Sequence, residues 1–367
     1  MLPYTGSTKL KVAERFLRTE IRGGDLNPWI GWERRNTLLA EFSIYLATAV
    51  ALVQRYSREI NAFDPTAVRF TTHQQIISGD AVDPYRFRVL IPEMTQWLWE
   101  KGPFGGDPAW LDRIHFALFG ICFVAMFWLI RVMLTELGWS PGQSLVGPLL
   151  LALALPVAFT FHDYQPWSWL EAVFIPLVYI LALRKSPIWI LLLVAIAASL
   201  NRETAVALSL IPIALSVRNW NVSDLRRYYL YCSAALIIPW MVIRFYMLTV
   251  WPGPANQRAI SIQEIWERNF DFSGAASLQW GGWLTTIFTL ATFAGGILVA
   301  AIAGLARRKC PTDALWIAVF TLPVFFAGWF VFAVWSEVRV LLPVLIIALP
   351  LTLSAFATPA CRKHDSQ

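Results

Sequence analysis

Ten apolar runs succeed one another along this chain, at roughly 38–54, 114–136, 143–161, 167–183, 186–200, 204–217, 228–250, 282–306, 313–335 and 338–357. A water-exposed body of 367 residues needs far more polar surface than this composition leaves, since 57% of the residues are hydrophobic and 15% are charged. The mean hydropathy of +0.53 points the same way. In a bilayer each segment must satisfy its own backbone hydrogen bonds, which a helix of about 20 apolar residues does. The expected fold is therefore all-α, a polytopic transmembrane helix bundle of about ten spans. Many of the 19 tryptophans, among them Trp97, Trp99, Trp110, Trp167, Trp169, Trp251, Trp280, Trp283 and Trp335, flank the runs, as rings held at headgroup level do.

The connections between runs carry an orientation signal. With the amino terminus in the cytoplasm, the inner connections hold Arg131, Arg184-Lys185, Arg218 with Arg226-Arg227, Arg307-Arg308-Lys309 and Arg362-Lys363. The short outer connections hold His162-Asp163, Arg202-Glu203 and Glu337-Arg339. This satisfies the positive-inside rule and gives an N-in/C-in bundle. The competing arrangement fuses 186–217 into one long tilted helix. Fusion would carry Arg226-Arg227 outside, so two short spans are expected. The formal net charge of +6 belongs to this pattern, and no aromatic-interleaved basic groove indicates a nucleic-acid partner.

Residues 1–37 lack an apolar leader core, so no cleavable signal is expected there. Leu10, Ala13, Phe16, Leu17 and Ile21 recur at helical spacing among Lys9, Lys11, Arg15, Arg18 and Arg22. That pattern predicts a cytoplasmic amphipathic segment lying on anionic membrane lipid. The bundle is assigned to 38–357 and a cytoplasmic tail to 358–367. Two sizeable outer loops are expected, at about 55–112 and 251–281. In the first, Leu90, Met94, Trp97 and Leu98 share a helical face, predicting an interfacial helix over Val89 to Lys101. Cys122, Cys232, Cys310 and Cys361 form neither a CxxC pair nor a Cys/His cluster, so no disulfide framework, metal or other cofactor is expected.

On this topology nearly every polar interruption of the apolar pattern falls on the outer side. The interruptions are Gly79 to Arg88, His162 to Trp167, Asn201-Arg202-Glu203-Thr204 and Ser336 to Arg339, with Arg244 in the outer half of its span. Charges at membrane depth are costly and usually face a wet cavity or the protein interior. Fifteen helical residues rise only about 22 Å against about 30 Å of hydrocarbon. The short central spans therefore end below the surface and leave an outward cavity, with Asp163, Arg202 and Glu203 near its floor.

Each group also has a plainer reading. Arg202 and Glu203 read equally as members of a buried ion-pair network, and Asp80 and Asp83 as turn residues. His162 reads as a helix-end group and Tyr164 as an interfacial anchor. Glu337 and Arg339 lie two apart, so they reach toward different helices. Convergence on one side favours a site. Forked arginines match phosphate oxygens, and a partly desolvated carboxylate beside them accepts a proton from a hydroxyl. The substrate-binding set on this reading is Arg86, Arg88, His162, Asp163, Tyr164, Arg202, Glu203, Arg244, Glu337 and Arg339.

The layout resembles the GT-C class of integral membrane glycosyltransferases. The resemblance rests on the long first outer loop with Asp80 and Asp83, the segment Asp83-Pro84-Tyr85-Arg86-Phe87-Arg88-Val89-Leu90-Ile91-Pro92, the Asn201 to Thr204 break, and the late Glu337-Val338-Arg339-Val340-Leu341-Leu342-Pro343. It implies sugar transfer from a polyprenyl-phosphate donor at the outer face of a multi-pass protein of the bacterial inner membrane. An acid of the first outer loop is the base in that class, a role that falls here on Asp80 or Asp83. The alternatives are a transporter or flippase for a lipid-linked or anionic solute, and a polysaccharide polymerase or ligase. The absence of an internal repeat and the one-sided polar groups favour the transferase.

Overall fold

The computed structural model describes residues 28–63, 66–81, 85–102, 107–158, 167–250, 263, 267, 295–307, 309–332 and 341–359. Two compact units are distinguished, Met1–Ile44 and Tyr45–Gln367, and all packing below lies within the second. The helices are α1 (Pro28–Phe63), α2 (Thr66–Ser78), α3 (Leu90–Lys101), α4 (Pro108–Glu136), α5 (Pro141–Ala158), α6 (Trp167–Leu183), α7 (Ile188–Asn201), α8 (Leu210–Arg218), α9 (Ser223–Val250), α10 (Gly296–Ala306), α11 (Thr312–Phe332) and α12 (Leu342–Ser354). Two 3-10 segments, Tyr85–Phe87 and Glu203–Ser209, complete the described elements, and no strand occurs among the described residues.

Each apolar run contains helix among its described residues. Four stretches, Asn36–Asn61, Pro108–Glu136, Ser223–Val250 and Thr312–Val331, are long and apolar enough to cross a membrane. The remaining apolar helices are shorter. The chain is an all-α, multi-pass membrane protein. Its surface pattern agrees: α9 turns Ile238, Met241, Val242, Phe245 and Leu248 outward while burying Leu236, Pro239, Arg244 and Met247. An apolar exterior around a buried arginine is what a lipid solvent selects.

Aromatic edges knit the core. The Tyr56 ring of α1 meets Phe119 of α4 at 5.0 Å and Trp169 of α6 at 5.8 Å, both edge-on. On α10, a Cβ at Gly304 would collide with the Leu351 carbonyl oxygen of α12. Glycine is what allows those two backbones to touch, the usual device where helices pack in lipid.

Hydrogen bonds to α9 fix the direction of its neighbours. Tyr228 donates to the Ser186 carbonyl at 2.7 Å and Arg244 to the Ser199 carbonyl at 2.7 Å, so α7 runs parallel to α9. Trp240 then donates to the Glu203 carbonyl at 2.8 Å and Ser233 to the Ser209 carbonyl at 3.4 Å, so the next segment runs back. The chain reverses at Arg202, whose φ of −159° and ψ of 148° end the helix. One helix over 186–217 is therefore not formed.

A second set of contacts gathers one end of the bundle. Arg184 pairs with Glu136 at 2.8 Å, Arg218 pairs with Asp313, and Arg307 donates to the Ala355 carbonyl. This end holds Arg131, Arg184, Lys185, Arg218, Arg226, Arg227, Arg307 and Lys309. At the opposite end lie the Tyr85–Phe87 turn, the start of α6 and the reversal at Arg202.

The region 55–112 is more ordered than a loop. The helix α1 begins at Pro28 and continues to Phe63, so the boundary expected at 37 falls inside it, and α2 follows at once. Apolar periodicity misses α2 because its buried positions are Arg69, His73 and Ile76, two of them polar. A helix is found where one was expected over Val89 to Lys101: α3 buries Ile91, Pro92 and Thr95 and exposes Met94, Trp97 and Leu98. The amphipathic face at 10–21 lies outside the described residues, as does the 251–281 loop apart from Gln263 and Glu267.

Candidate functional site

At the end of α7, four polar residues interrupt the apolar sequence, and their side chains together find three partners, Trp167, Glu171 and Arg88. The Arg202 amide donates to the Ala198 carbonyl at 2.9 Å, closing the helix. Asn201 donates through Nδ2 to the Trp167 carbonyl at 2.9 Å. Arg202 turns its guanidinium to Glu171 of α6, with Nη1 at 2.5 Å from Oε2. Thr204 donates to the other oxygen of the same carboxylate. Both oxygens of Glu171 are thus engaged from the break.

Glu203 faces the other way. Arg88 reaches it from the segment after the Tyr85–Phe87 turn, with Nε at 2.9 Å from Oε2 and Nη2 paired to Oε1. This forked geometry is the strong form of an arginine–carboxylate contact. The Arg88 guanidinium also lies against two rings, 5.2 Å from the Tyr85 centroid and 5.1 Å from that of Trp167, which themselves stand 5.6 Å apart. Trp167 in turn packs on Ile76 and Ala81, with Tyr85 against them.

Arg244 completes the group. Its Nη2 donates to the Ser199 carbonyl at 2.7 Å and its Nη1 to the Phe87 carbonyl at 3.3 Å. Neutral carbonyls hold it, and its electrostatic neighbours are Glu203 and Arg88. Three buried arginines therefore meet two carboxylates among the described residues. Several buried polar atoms of these residues, Asn201 Oδ1, Trp167 Nε1, Ser168 Oγ, Ser199 Oγ and Arg244 Nε, have no hydrogen-bond partner among the described residues. Each could be satisfied by water or a polar ligand. Excess positive charge beside orphaned donors suits an anion.

The structure brings Arg88, Arg202, Glu203 and Arg244 together. Asp80 stands apart, exposed, with its carboxylate accepting from Ser78 Oγ at 2.7 Å. Its neighbour Ala81 packs on Trp167. Asp83, His162, Asp163, Tyr164, Glu337 and Arg339 lie outside the described residues, as does the side chain of Arg86. Glu171 and Trp240 were not anticipated. Glu171 is the one acidic residue in the run 167–183, the same signal that singles out Arg202. No group of three His, Cys, Asp or Glu is placed to hold a metal among the described residues.

A second buried cluster joins α1 to α4. Arg69 donates to Asp112 through Nε at 3.1 Å and Nη2 at 2.5 Å, and through Nη2 to Asn61 at 2.8 Å and Thr66 at 3.1 Å. One turn along each helix, His73 and His115 meet edge to face at 5.4 Å. Gln96 donates to Glu100 at 2.6 Å, which turns its carbonyl oxygen to His73 Nε2 at 2.9 Å and fixes the proton there. Burial holds the His73 pKa below its ordinary value of 6.5, partly offset by Gln96.

Comparison with protein families, with curated proteins and with solved structures gives no match.

Proposed function

We propose that the chain is a membrane glycosyltransferase of the GT-C type, moving a sugar from a polyprenyl-phosphate donor to a lipid, glycan or protein acceptor at the outer face. The observation that carries the reading is the gathering of Arg88, Arg202 and Arg244 around two carboxylates among the described residues, at the end of the bundle opposite the basic connections. By the positive-inside rule that end faces outward, in a bundle of about ten spans with both termini inside. Guanidinium groups in excess of carboxylates favour a phosphorylated ligand over a neutral one. The apolar face of α3, one residue beyond Val89, offers an interfacial surface for a polyprenyl chain.

In the proposed reaction the arginines take the donor phosphate. An acid of the outer segment, Asp80 or Asp83, accepts the proton of the acceptor hydroxyl, whose oxygen attacks the anomeric carbon. The bond from that carbon to the phosphate oxygen breaks, and the arginines stabilise the charge left on phosphate. Asp80 suits the role through its exposure, next in sequence to Ala81, which packs on Trp167.

The test is sugar transfer by the full chain in proteoliposomes loaded with a polyprenyl-phosphate sugar. Either Asp80→Asn or Asp83→Asn is expected to lower the rate about 100-fold or more. Full transfer by both folded variants would remove the base assignment. Passage of the lipid-linked sugar across the bilayer without transfer would establish the transporter reading instead.

A further inference from the structure

We propose that the Glu203 carboxylate is a built-in occupant of a phosphate subsite, holding the Arg88 fork until a phosphoester displaces it. This rests on the reading of the arginine cluster as an anion site, and it adds how that site is kept closed.

The two partners differ in freedom. The Arg88 side chain is 6% exposed and lies against both Tyr85 and Trp167, which restricts its donor edge. The Glu203 side chain is 33% exposed and belongs to the first residue after an extended Arg202. Its backbone carbonyl is tied to Trp240, and among the described residues its carboxylate is bonded to Arg88. Of the ionised groups in the cluster, this carboxylate is the one placed to swing away.

Charge makes the swing costly unless an anion replaces it. Arg202 keeps Glu171 when Glu203 leaves. Arg88 would lose its carboxylate, and Arg244, held by carbonyls, would lose its negative neighbour. A phosphate offers the same two-oxygen edge to the Arg88 fork, with further oxygens for other donors. Two donors without a partner among the described residues belong to residues that touch these arginines: Trp167 Nε1, on the ring that contacts Arg88, and Ser199 Oγ, on the residue whose carbonyl holds Arg244. The exchange is anion for anion, so the buried charge stays balanced while the site opens.

The ligand chemistry is a phosphomonoester or phosphodiester, from a lipid carrier or from free phosphate. The experiment uses the full chain in phosphatidylcholine nanodiscs and measures binding of farnesyl phosphate and, separately, inorganic phosphate. Glu203→Gln removes the competing charge and is expected to tighten farnesyl phosphate about tenfold, roughly the loss of one charged competitor. Glu203→Asp keeps the charge but shortens the reach, and is expected to fall between. Arg88→Lys is expected to weaken binding in both the native and the Glu203→Gln background, because the fork is lost. Tightening of both ligands assigns the subsite to phosphate alone. Tightening of farnesyl phosphate only assigns it to a lipid carrier. Unchanged or weaker binding of both by Glu203→Gln overturns the inference, and if that variant does not fold, the same result from Glu203→Asp does so. The transferase reading is judged apart: tighter binding with no sugar transfer keeps the subsite and removes the enzyme, and transfer without tightening does the reverse.

Discussion

Arg69 and Arg88 are both buried, both forked onto a carboxylate, and both carried by the stretch between α1 and α4. Their acids differ. Arg69 is 2% exposed and Asp112 11%, so neither partner meets solvent, and Asn61 and Thr66 take further bonds from the guanidinium. Arg88 is 6% exposed while Glu203 is 33%, and two more arginines stand behind. Among the described residues the first cluster pairs one cation with one anion, and the second holds three cations against two anions and leaves orphaned donors. A buried pair sealed at both ends acts as a clasp between helices. A pair whose acid faces outward, over unbalanced charge, can exchange that acid for a ligand.

The sharpest way to break this contrast is to remove each acid in turn. Asp112→Ala leaves Arg69 buried without its carboxylate and is expected to cost about 3–5 kcal/mol, read as a loss of unfolding midpoint in detergent. Replacing the pair together, Arg69→Met with Asp112→Leu, is expected to recover most of that loss, since a matched apolar pair removes the stranded charge. Glu171→Gln keeps the acceptor for Thr204 but weakens the hold on Arg202, for about 2 kcal/mol by the same assay. Glu203→Gln is expected to cost less than Asp112→Ala, about 1–2 kcal/mol, because the amide oxygen still accepts from the Arg88 fork and the side chain is 33% exposed. A cost for Glu203→Gln as large as that for Asp112→Ala would make the two clusters alike and deny Glu203 its freedom.

A smaller effect separates the clusters by pH. The folded His73 pKa lies below the unfolded value of 6.5, so the unfolded chain binds the extra proton first. Stability of the clasp is therefore full above pH 6.5 and falls as pH drops from there through the lowered folded value. A cation on His73 would also face Arg69 and His115, with Asp112 already engaged. Amide exchange in α2 is expected to speed up on acidification in the native protein and much less in a His73→Gln variant. Equal pH dependence in both would remove His73 from the clasp.

Much of the fold was legible because a bilayer leaves few choices. Apolar runs gave the helices, and α6 follows its run of 167–183 residue for residue. The charges of 201–204 marked a true break, since a helix carrying Arg202 and Glu203 side by side cannot satisfy both in lipid. The α2 helix was not legible, because its inward face is polar and hydrophobic periodicity is silent there. The partners within the site were not legible either. Arg202 and Glu203 are adjacent in sequence, yet one pairs with α6 and the other with the segment after the Tyr85 turn. The cause is the passage from α-helix through an extended residue into a 3-10 segment, which points successive side chains apart.

By itself the sequence determined the solvent, the helices, the basic end and the place where polar groups interrupt the apolar pattern. Those follow from composition and periodicity, which act locally along the chain. Only the tertiary structure decided which carboxylate meets which arginine. Pairing in a low dielectric depends on distance and burial across helices far apart in sequence, and neither is written into any one segment.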